Sequence, residues 1–307
     1  MVRGTNGHQY MIDSGTTAGR TGKQLLNQME KDGLEVKNTK GIFITHAHPD
    51  HIAGISFFRN LIGNIPVYCN ELDFDALRDP KYLENTLLDE LGPLRNDVSK
   101  MPTPLVNLGF NYLYGKQKPI NNLIAVSEGD RFNLNAGGSV YLEVVNTAGH
   151  VPAHMGYLLK MGDGKNAFFS GDLVSFKEGN DGDLVALASL NNPLSSYTGE
   201  LSTLDKLSSM DIDYLFTGHY GTYEGREMIK EFMREAHGRI QEFEKKLLRY
   251  LEEGPKRVPD ITDHVITMKN YLSGYATRPS TIYAILKHLE GDHKVKLNIE
   301  TREFSVI

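Results

Sequence analysis

The sequence predicts a layered α/β fold followed by a smaller, mainly helical C-terminal part. Up to about residue 220, short apolar runs separated by Gly, Asn and Asp turns alternate with helical patterns, which indicates mixed strands and helices. After Gly225 the pattern changes to a long amphipathic helix, further helical segments and a closing hairpin. A chain of 307 residues accommodates one large and one smaller domain, and we predict residues 1–224 and 225–307.

The elements follow from the spacing of apolar residues. The predicted strands are residues 9–12, 41–45, 66–69, 123–126, 140–145, 155–160, 167–170 and 214–217. The predicted helices of the first domain are residues 22–31, 51–60, 72–77, 82–91 and 197–209. The C-terminal part is predicted to contain helices at 226–253, 262–272 and 279–289 and a hairpin at 294–306.

Composition favours an ordinary globular protein, with 40% hydrophobic and 23% charged residues. The sequence contains no run of 18 apolar residues, and its first ten residues lack the apolar stretch of a secretory signal. The single cysteine, Cys69, excludes an internal disulfide framework and suits a reducing compartment. We therefore expect a cytoplasmic protein that does not bind a membrane.

The charge of the chain is unevenly distributed. Residues 1–224 carry 18 basic and 26 acidic side chains, a balance of −8, whereas residues 225–307 carry 15 and 13, a balance of +2. An acidic main body attracts a polyanion poorly, so nucleic acid is not the favoured partner, although it stays open as one.

A dense group of candidate metal ligands follows the predicted strand at 41–45. The motif THAHPDH, residues 45–51, contains His46, His48, Asp50 and His51. Imidazole nitrogen and carboxylate oxygen are the donors that zinc, manganese and iron share. A polar, histidine-rich surface loop is the alternative interpretation of this group taken alone.

Three more candidate ligands stand at strand ends farther along the chain. His150 follows the strand YLEVV, Asp172 follows AFF, and His219 follows DYLF. Each lies beside a glycine, where the backbone turns tightly and approaches a bound ion closely. This ordered recurrence favours a metal site over isolated polar turns.

These motifs, together with Asp13 in MIDSG, resemble the metallo-β-lactamase superfamily from residue 9 to about 224. The words TAGHVPAHMGY and FFSGDLV are most similar to its hydroxyacylglutathione hydrolase and lactonase branches. The resemblance implies a four-layer αββα sandwich with a metal site at one edge of its two sheets. The stretch from HGRIQEFEKKLLRYLEEG to AILKHLEGDHKVKLN, residues 237–298, resembles the winged-helix extension of β-lactamase-like protein 2 relatives, which include thioester hydrolases and an endoribonuclease.

The resemblance also implies a role for each ligand. Two divalent ions are expected, with Zn²⁺ favoured and iron or manganese as alternatives. The first ion would be held by His46, His48 and His150, the second by Asp50, His51 and His219, with Asp172 bridging the two. Asp50 and Asp172 would thereby take part in catalysis.

Other residues are expected to support the site or act on the substrate. Asp13 is expected to fix the metal-binding loop by hydrogen bonds, and His154 to be structural or to support a ligand. Tyr220 and Tyr223 follow the last metal histidine. They are candidates for donating a proton to the leaving group or binding a substrate oxygen, and packing under the site is the alternative.

The expected reaction is hydrolysis of a carboxylic ester, thioester or lactone by a metal-bridging hydroxide. The substrate would be a small acyl compound. Cleavage of single-stranded RNA or DNA is the alternative, and iron-dependent sulfur dioxygenation a further one. The complete ligand set argues against a non-catalytic binding protein.

Two departures from the family pattern affect the expected architecture. Asp13 comes so early that it leaves room for one strand ahead of it, which suggests a short N-terminus, a missing edge strand or an edge strand supplied by a partner. An offset of 99 positions separates His51 from His150, which suggests an insertion at 78–122. This insertion would form a lid with Tyr112 and Tyr114 near the substrate, or a surface elaboration or homodimer contact.

Overall fold

The structure is a computed structural model that describes residues 1–5, 7–98, 118–173, 188–219, 221–266 and 272–307. It divides into two compact units. The first contains the described residues of Met1–Glu84, Pro102–Asn146 and Ala153–Phe169, and the second those of Asn85–Met101, Thr147–Pro152 and Ser170–Ile307. The domain division at 224 stays a prediction. In the described ranges, no helix has the length and apolar character needed to cross a membrane.

The first unit contains a five-stranded sheet whose strands lie in chain order. They are β1 Val2–Arg3, β2 Gln9–Ile12, β3 Thr39–Phe43, β4 Val67–Cys69 and β5 Leu123–Ala125. Strands β2 to β5 pair in parallel, whereas β1 pairs antiparallel with β2. Parallel neighbours require crossover connections. Helices in these connections are α1 Thr21–Lys31, α2 Pro49–Ile52, α3 Ile55–Ile62 and α4 Phe74–Arg78.

A second sheet contains six strands in the order β11-β10-β9-β8-β7-β6. They are β6 Arg131–Asn133, β7 Tyr141–Asn146, β8 Met155–Lys160, β9 Asn166–Gly171, β10 Tyr214–Thr217 and β11 Thr222–Glu224. Consecutive strands from β6 to β9 pair antiparallel, as do β10 and β11. Antiparallel neighbours need only short turns, so consecutive strands of this sheet can follow one another closely in the chain.

Strand β3 contributes to two separate cores of the first unit because successive side chains point to opposite faces of a sheet. Phe43 packs with Tyr157 and Leu142 between the two sheets. Ile42, with Ile44 just beyond the strand, packs on the other face among residues of the helices. The first unit therefore has a helical layer, a sheet and a second sheet in succession, and the predicted α/β layering is confirmed.

The predicted single helix at 51–60 is two helices, α2 and α3, and the reason is a close backbone approach. The Gly54 N–H donates to the Gly15 carbonyl at 2.8 Å. A Cβ at position 54 would lie 2.4 Å from the Ser14 carbonyl oxygen, so only glycine fits. The helix is interrupted where the chain must touch the loop that carries Asp13.

The expectation of one strand ahead of Asp13 is wrong, since β1 and β2 both precede it. Strand β1 has two residues, too few for an alternating pattern to be recognised. Strands β6 and β11 were also absent from the sequence-based assignment, and each has three residues. By contrast, β2, β8 and β10 have the predicted bounds.

The C-terminal residues lie in the second unit and form helices around a small sheet. Helices α7 Tyr197–Ser208 and α8 Arg226–Glu252 are followed by β12 Lys256–Arg257, α9 Val258–Val265, α10 Leu272–Gly291, β13 Val295–Asn298 and β14 Glu303–Val306. The predicted hairpin is confirmed, because β13 and β14 pair antiparallel. Winged-helix identity stays a prediction.

The helix predicted at 262–272 begins earlier, at Val258, and ends at Val265. Pro259 in its first turn needs no N–H partner, and the Arg257 N–H donates to the Asp260 side chain, so this start is well capped. Helix α10 also begins before the predicted residue and contains Pro279. The apolar spacing alone did not locate either beginning.

The expected insertion at 78–122 is described in part. It contains α5 Tyr82–Leu91 and α6 Arg95–Val98. Asp97 of α6 is 1% exposed and pairs with Arg257 and, at 3.5 Å, with Arg302. Tyr112 and Tyr114 lie outside the described residues, so the lid stays a prediction.

Candidate metal centre

The loop Thr45–His51 leaves the buried end of β3 and turns into helix α2. His48 has extended backbone angles, φ −69° and ψ 147°, and immediately precedes the helix. Pro49 occupies the first turn, where its fixed φ suits a helix start and its missing N–H costs nothing. As a result, His46 and His48 lie on an extended segment, whereas Asp50 and His51 lie on the first turn of α2.

Asp13 holds this loop from the end of β2. Its backbone adopts a left-handed φ of 54°, which is uncommon for a residue other than glycine. Oδ1 accepts a hydrogen bond from the Thr45 N–H at 2.7 Å, and Oδ2 accepts one from the Thr45 hydroxyl at 2.9 Å. Oδ2 also lies 2.8 Å from His51 Nδ1. One carboxylate therefore contacts both ends of the loop.

Hydrogen-bond partners of two histidines, His46 and His51, indicate which ring nitrogen of each can bind a metal ion. Thr45 Oγ1 lies 3.0 Å from His46 Nδ1, and Asp13 occupies His51 Nδ1. A histidine whose one nitrogen is held by such a partner presents the other to a metal. His46 Nε2 lies 2.9 Å from His48 Nδ1, and His51 Nε2 lies 3.8 Å from Asp50 Oδ2.

In the second unit, Asp172 lies between two histidines. Its Oδ2 is 3.7 Å from His150 Nε2, and its Oδ1 is 3.4 Å from His219 Nε2. The other nitrogen of His150, Nδ1, contacts the Ser189 carbonyl at 2.7 Å. The two oxygens of one carboxylate thus face different imidazoles, the arrangement that a bridging ligand requires.

Glycines make room for Asp172. Gly171 precedes it with a φ of 53°, in the left-handed region that favours glycine. A Cβ at Gly218 would lie 2.5 Å from Asp172 Oδ1. Gly171 therefore provides a tight turn, and Gly218 provides space for the Asp172 carboxylate.

The seven predicted ligands form two groups of converging donor atoms. Within each group, the ligand atoms all lie within 4.8 Å of one another. The groups are His46, His48, His150 and Asp172, and Asp50, His51, Asp172 and His219. Asp172 belongs to both groups.

The donor atoms fit divalent metal ions. Two atoms bound to one ion at about 2.1 Å in tetrahedral geometry lie about 3.4 Å apart. The measured pairs lie between 2.9 and 3.8 Å apart. All donors are imidazole nitrogens or carboxylate oxygens, so the cluster fits a dinuclear metal site.

The remaining predicted residues lie outside the two ligand groups. His154 is fully buried, with its ring centroid 5.1 Å from that of His46. Tyr223 on β11 tilts against Phe232, with ring centroids 4.8 Å apart. Tyr220 lies outside the described residues.

Sequence reasoning missed Asp73, which lies 5% exposed after β4. Burial raises the pKa of the Asp73 carboxyl to about 7, while a hydrogen bond from the Ala47 N–H opposes the shift and the Asp13 carboxylate adds to it. Asp73 therefore supports the backbone between His46 and His48. The signal was available, since Asp73 is a carboxylate shortly after a strand.

Comparison with known proteins places this site in a family context. The profile of the Metallo-beta-lactamase superfamily matches residues 1–219. A linear primary-alkylsulfatase of a Pseudomonas strain is 22% identical over 303 residues, covering 91% of this chain and 51% of the relative. The exodeoxyribonuclease YycJ of Bacillus anthracis is 32% identical over 74 residues, covering 24% of this chain and 26% of the relative. The chain thus spans about half the length of the first relative and less of the second.

Solved structures share the fold along the whole chain. A metallo-beta-lactamase family protein from Thermus thermophilus superimposes with a TM-score of 0.75 at 19% identity, covering 100% of this chain and 92% of the other. A beta-lactamase domain protein from Burkholderia ambifaria gives 0.66 at 15% identity, covering 100% and 86%. These likenesses confirm the predicted α/β sandwich with a helical C-terminal region.

Proposed function

Because the chain belongs to the metallo-beta-lactamase superfamily, a family of hydrolases, we propose that it is a dinuclear metal hydrolase of carboxylic esters, thioesters or lactones. The observation that carries the proposal is the sharing of Asp172 between two groups of ligand atoms. When bound, two divalent cations supply hydroxide near neutral pH and stabilise negative charge that develops on a carbonyl oxygen. We propose Zn²⁺ as these cations, with iron or manganese as alternatives.

The proposed ligand roles follow the two groups. His46, His48 and His150 hold one ion, and Asp172 Oδ2 faces this side. The second ion is held by Asp50, His51 and His219, and Asp172 Oδ1 faces His219. Asp13, Thr45 and the Ser189 carbonyl orient three of the histidine rings. Ligands oriented in this way need little rearrangement to bind the ions.

Charge supports a substrate that is not a polyanion. The first 224 residues carry a net charge of −8. Like charges raise the free energy of an approaching polyanion, whereas a neutral ester, thioester or lactone is unaffected. The similarity of the strand-end words to hydroxyacylglutathione hydrolases and lactonases supports the same substrate class.

Hydrolysis of an alkyl sulfate is the second candidate. The similarity to a linear primary-alkylsulfatase extends over 91% of this chain, much further than that to exodeoxyribonuclease YycJ. A sulfate monoester carries one charge, so the acidic body opposes it less than a nucleic acid. Nuclease activity and iron-dependent sulfur dioxygenation rank after these two.

A metal analysis combined with a substrate panel tests the proposal. Protein purified without added metal is analysed for bound elements, and we expect two ions per chain, as the shared Asp172 requires. The wild type, His51→Ala and the control His8→Ala, an exposed residue outside both groups, are then assayed. The panel contains thioesters, lactones, alkyl sulfates, short RNA and single-stranded DNA.

We expect turnover of at least one carbonyl substrate, retained by His8→Ala and lost in His51→Ala. Sulfate turnover without carbonyl turnover would select the second candidate. Cleavage of RNA or DNA alone would contradict the proposed substrate class. One iron per chain with oxygen consumption on a persulfide would contradict hydrolysis itself.

A further inference from the structure

Helix α7 buries a carboxyl group behind the loop that carries His150. Glu200 is fully buried, and neither of its carboxyl oxygens meets hydrogen-bond geometry with a described residue. Burial raises the pKa of Glu200 to about 8, and the nearby Ser189 side chain opposes the shift. An isolated buried charge is strongly unfavourable, so this side chain is neutral near pH 7.

Glu200 lies against the backbone next to His150. A Cβ at Gly149 would lie 2.2 Å from Glu200 Oε2 and 2.8 Å from its Cα. Only glycine therefore permits the start of α7 to approach the loop so closely. Glu200 fills the space directly behind the residue that precedes a ligand.

Helix α7 and the two residues before it hold the loop by hydrogen bonds to three consecutive backbone carbonyls. The Ser196 N–H donates to Gly149 O at 2.7 Å. The Ser195 hydroxyl donates to His150 O at 2.8 Å, and the Thr203 hydroxyl donates to Ala148 O at 3.0 Å. The backbone from 148 to 150 is thus fixed to the helix that carries Glu200.

Ser189 connects Glu200 to the imidazole ring. Its carbonyl contacts His150 Nδ1 at 2.7 Å. Its side chain acts on the Glu200 carboxyl and lowers the pKa that burial raises. The Ser189 hydroxyl oxygen is itself buried. The segment that orients the His150 ring and the backbone that precedes His150 therefore both lie next to the Glu200 carboxyl.

We propose that Glu200 is a positioning residue of the metal centre, which spaces Ser189 from Gly149 so that His150 Nε2 faces Asp172. The inference rests on the proposed function only in that His150 binds a metal ion. Loss of the side chain would let the Ser189 segment and the His150 loop shift toward each other. Supports of this kind typically change metal affinity by about 10-fold to 100-fold.

Three variants of the full chain test this role. Glu200→Gln keeps the shape and a donor, Glu200→Ala removes the side chain that acts as the spacer, and Glu200→Asp keeps the acid but withdraws it by one methylene. Leu204→Ala is the control, because Leu204 is 1% exposed on the same helix and truncation destabilises the core. Zn²⁺ dissociation constants are measured by chelator competition, and absorption spectra are recorded with Co²⁺ bound.

We expect Glu200→Ala to weaken one Zn²⁺ site by about 10-fold or more and to alter the Co²⁺ spectrum. Glu200→Gln and Leu204→Ala should stay within about 3-fold of the wild type. In a His150→Ala background, Glu200→Ala should have no further effect, because coupled residues do not add. If Glu200→Ala does not fold, Glu200→Asp takes its place with the same expectations.

Unchanged Zn²⁺ affinity in the folded Ala or Asp variant would overturn the inference. An equal loss in Leu204→Ala, or a full further loss in the His150→Ala background, would do the same. Failure of the wild type to bind Zn²⁺ would instead count against the proposed function. The two failures are therefore distinguishable.

Discussion

The two halves of the candidate metal centre are built by different means. In the first half, one loop from Thr45 to His51 carries four ligands, and the side chains of Asp13 and Thr45 hold it. In the second half, His150, Asp172 and His219 follow three different strands. Here the partner of His150 is a main-chain carbonyl, and glycines provide the space.

The difference teaches where each half is sensitive to substitution. A loop held by one carboxylate depends on a single side chain. Main-chain carbonyls persist through most substitutions, so a segment held by them is sensitive mainly to changes in packing. We therefore expect the first half to fail through loss of a polar group and the second through loss of shape.

The largest expected effect is that of Asp172→Ala, because Asp172 belongs to both ligand groups. Binding of both ions should weaken, with hydrolysis reduced by more than about 100-fold. Asp50→Ala removes a ligand of one group only and should retain about one ion per chain. Elemental analysis of both variants decides the matter, and equal metal loss in the two would contradict the shared role.

Asp13→Ala should have the next largest effect, since it removes the partner of both Thr45 and His51. We expect metal affinity to fall by about 10-fold to 100-fold, measured by chelator competition. Ser195→Ala is the matched variant in the second half of the site, where the Ser196 N–H still holds Gly149. Ser195→Ala should lower metal affinity less than Asp13→Ala does. A larger loss of affinity in Ser195→Ala would contradict the proposed difference between the two halves.

A smaller effect concerns stability against pH. The pKa of Glu200 is about 8 in the folded chain, against 4.5 for an ordinary Glu. Between these values the folded state holds a proton that the unfolded state lacks, so stability present below pH 4.5 is lost as pH rises through about 8. Relative to Glu200→Gln, wild-type protein should lose up to about 1.4 kcal/mol per pH unit.

Urea unfolding of the metal-free protein from pH 5 to pH 9 would measure this difference. Glu227→Gln, at a side chain that is 83% exposed, is the control and should leave the pH profile unchanged. Parallel profiles for the wild type and Glu200→Gln would show that Glu200 titrates normally in the folded protein.

Tyr223→Phe should have the smallest effect. The ring packs against Phe232, and the substitution keeps that contact. We expect kcat to change by less than about 3-fold, because Phe keeps the ring that packs against Phe232 and loses only the hydroxyl. A fall of 100-fold or so, with a change in the pH profile of kcat, would instead support proton donation by the hydroxyl.

Most elements that position the site were predictable because their signals are local. Strand β2, which leads to Asp13, and strand β10, which leads to His219, have the predicted bounds, since turn residues and apolar runs mark both of them in the sequence. The two-residue β1 and the interruption of the helix at Gly54 were not predicted. The first is too short to show a pattern, and the second results from contact with a distant loop.

The sequence by itself predicted the seven side chains that the structure brings together, and it predicted that Asp13 holds their loop by hydrogen bonds. Asp13 and His51 are 38 positions apart, yet both ends of their contact are distinctive side chains within recognisable motifs. His150 and Ser189 are 39 positions apart, and their contact uses a carbonyl that any residue possesses. Only the tertiary structure decided that partner, the histidine that each oxygen of Asp172 faces, and the burial of Glu200. A backbone carbonyl is the same in every residue, and burial depends on which segments pack together. Neither can therefore be recognised in the sequence before the chain is folded.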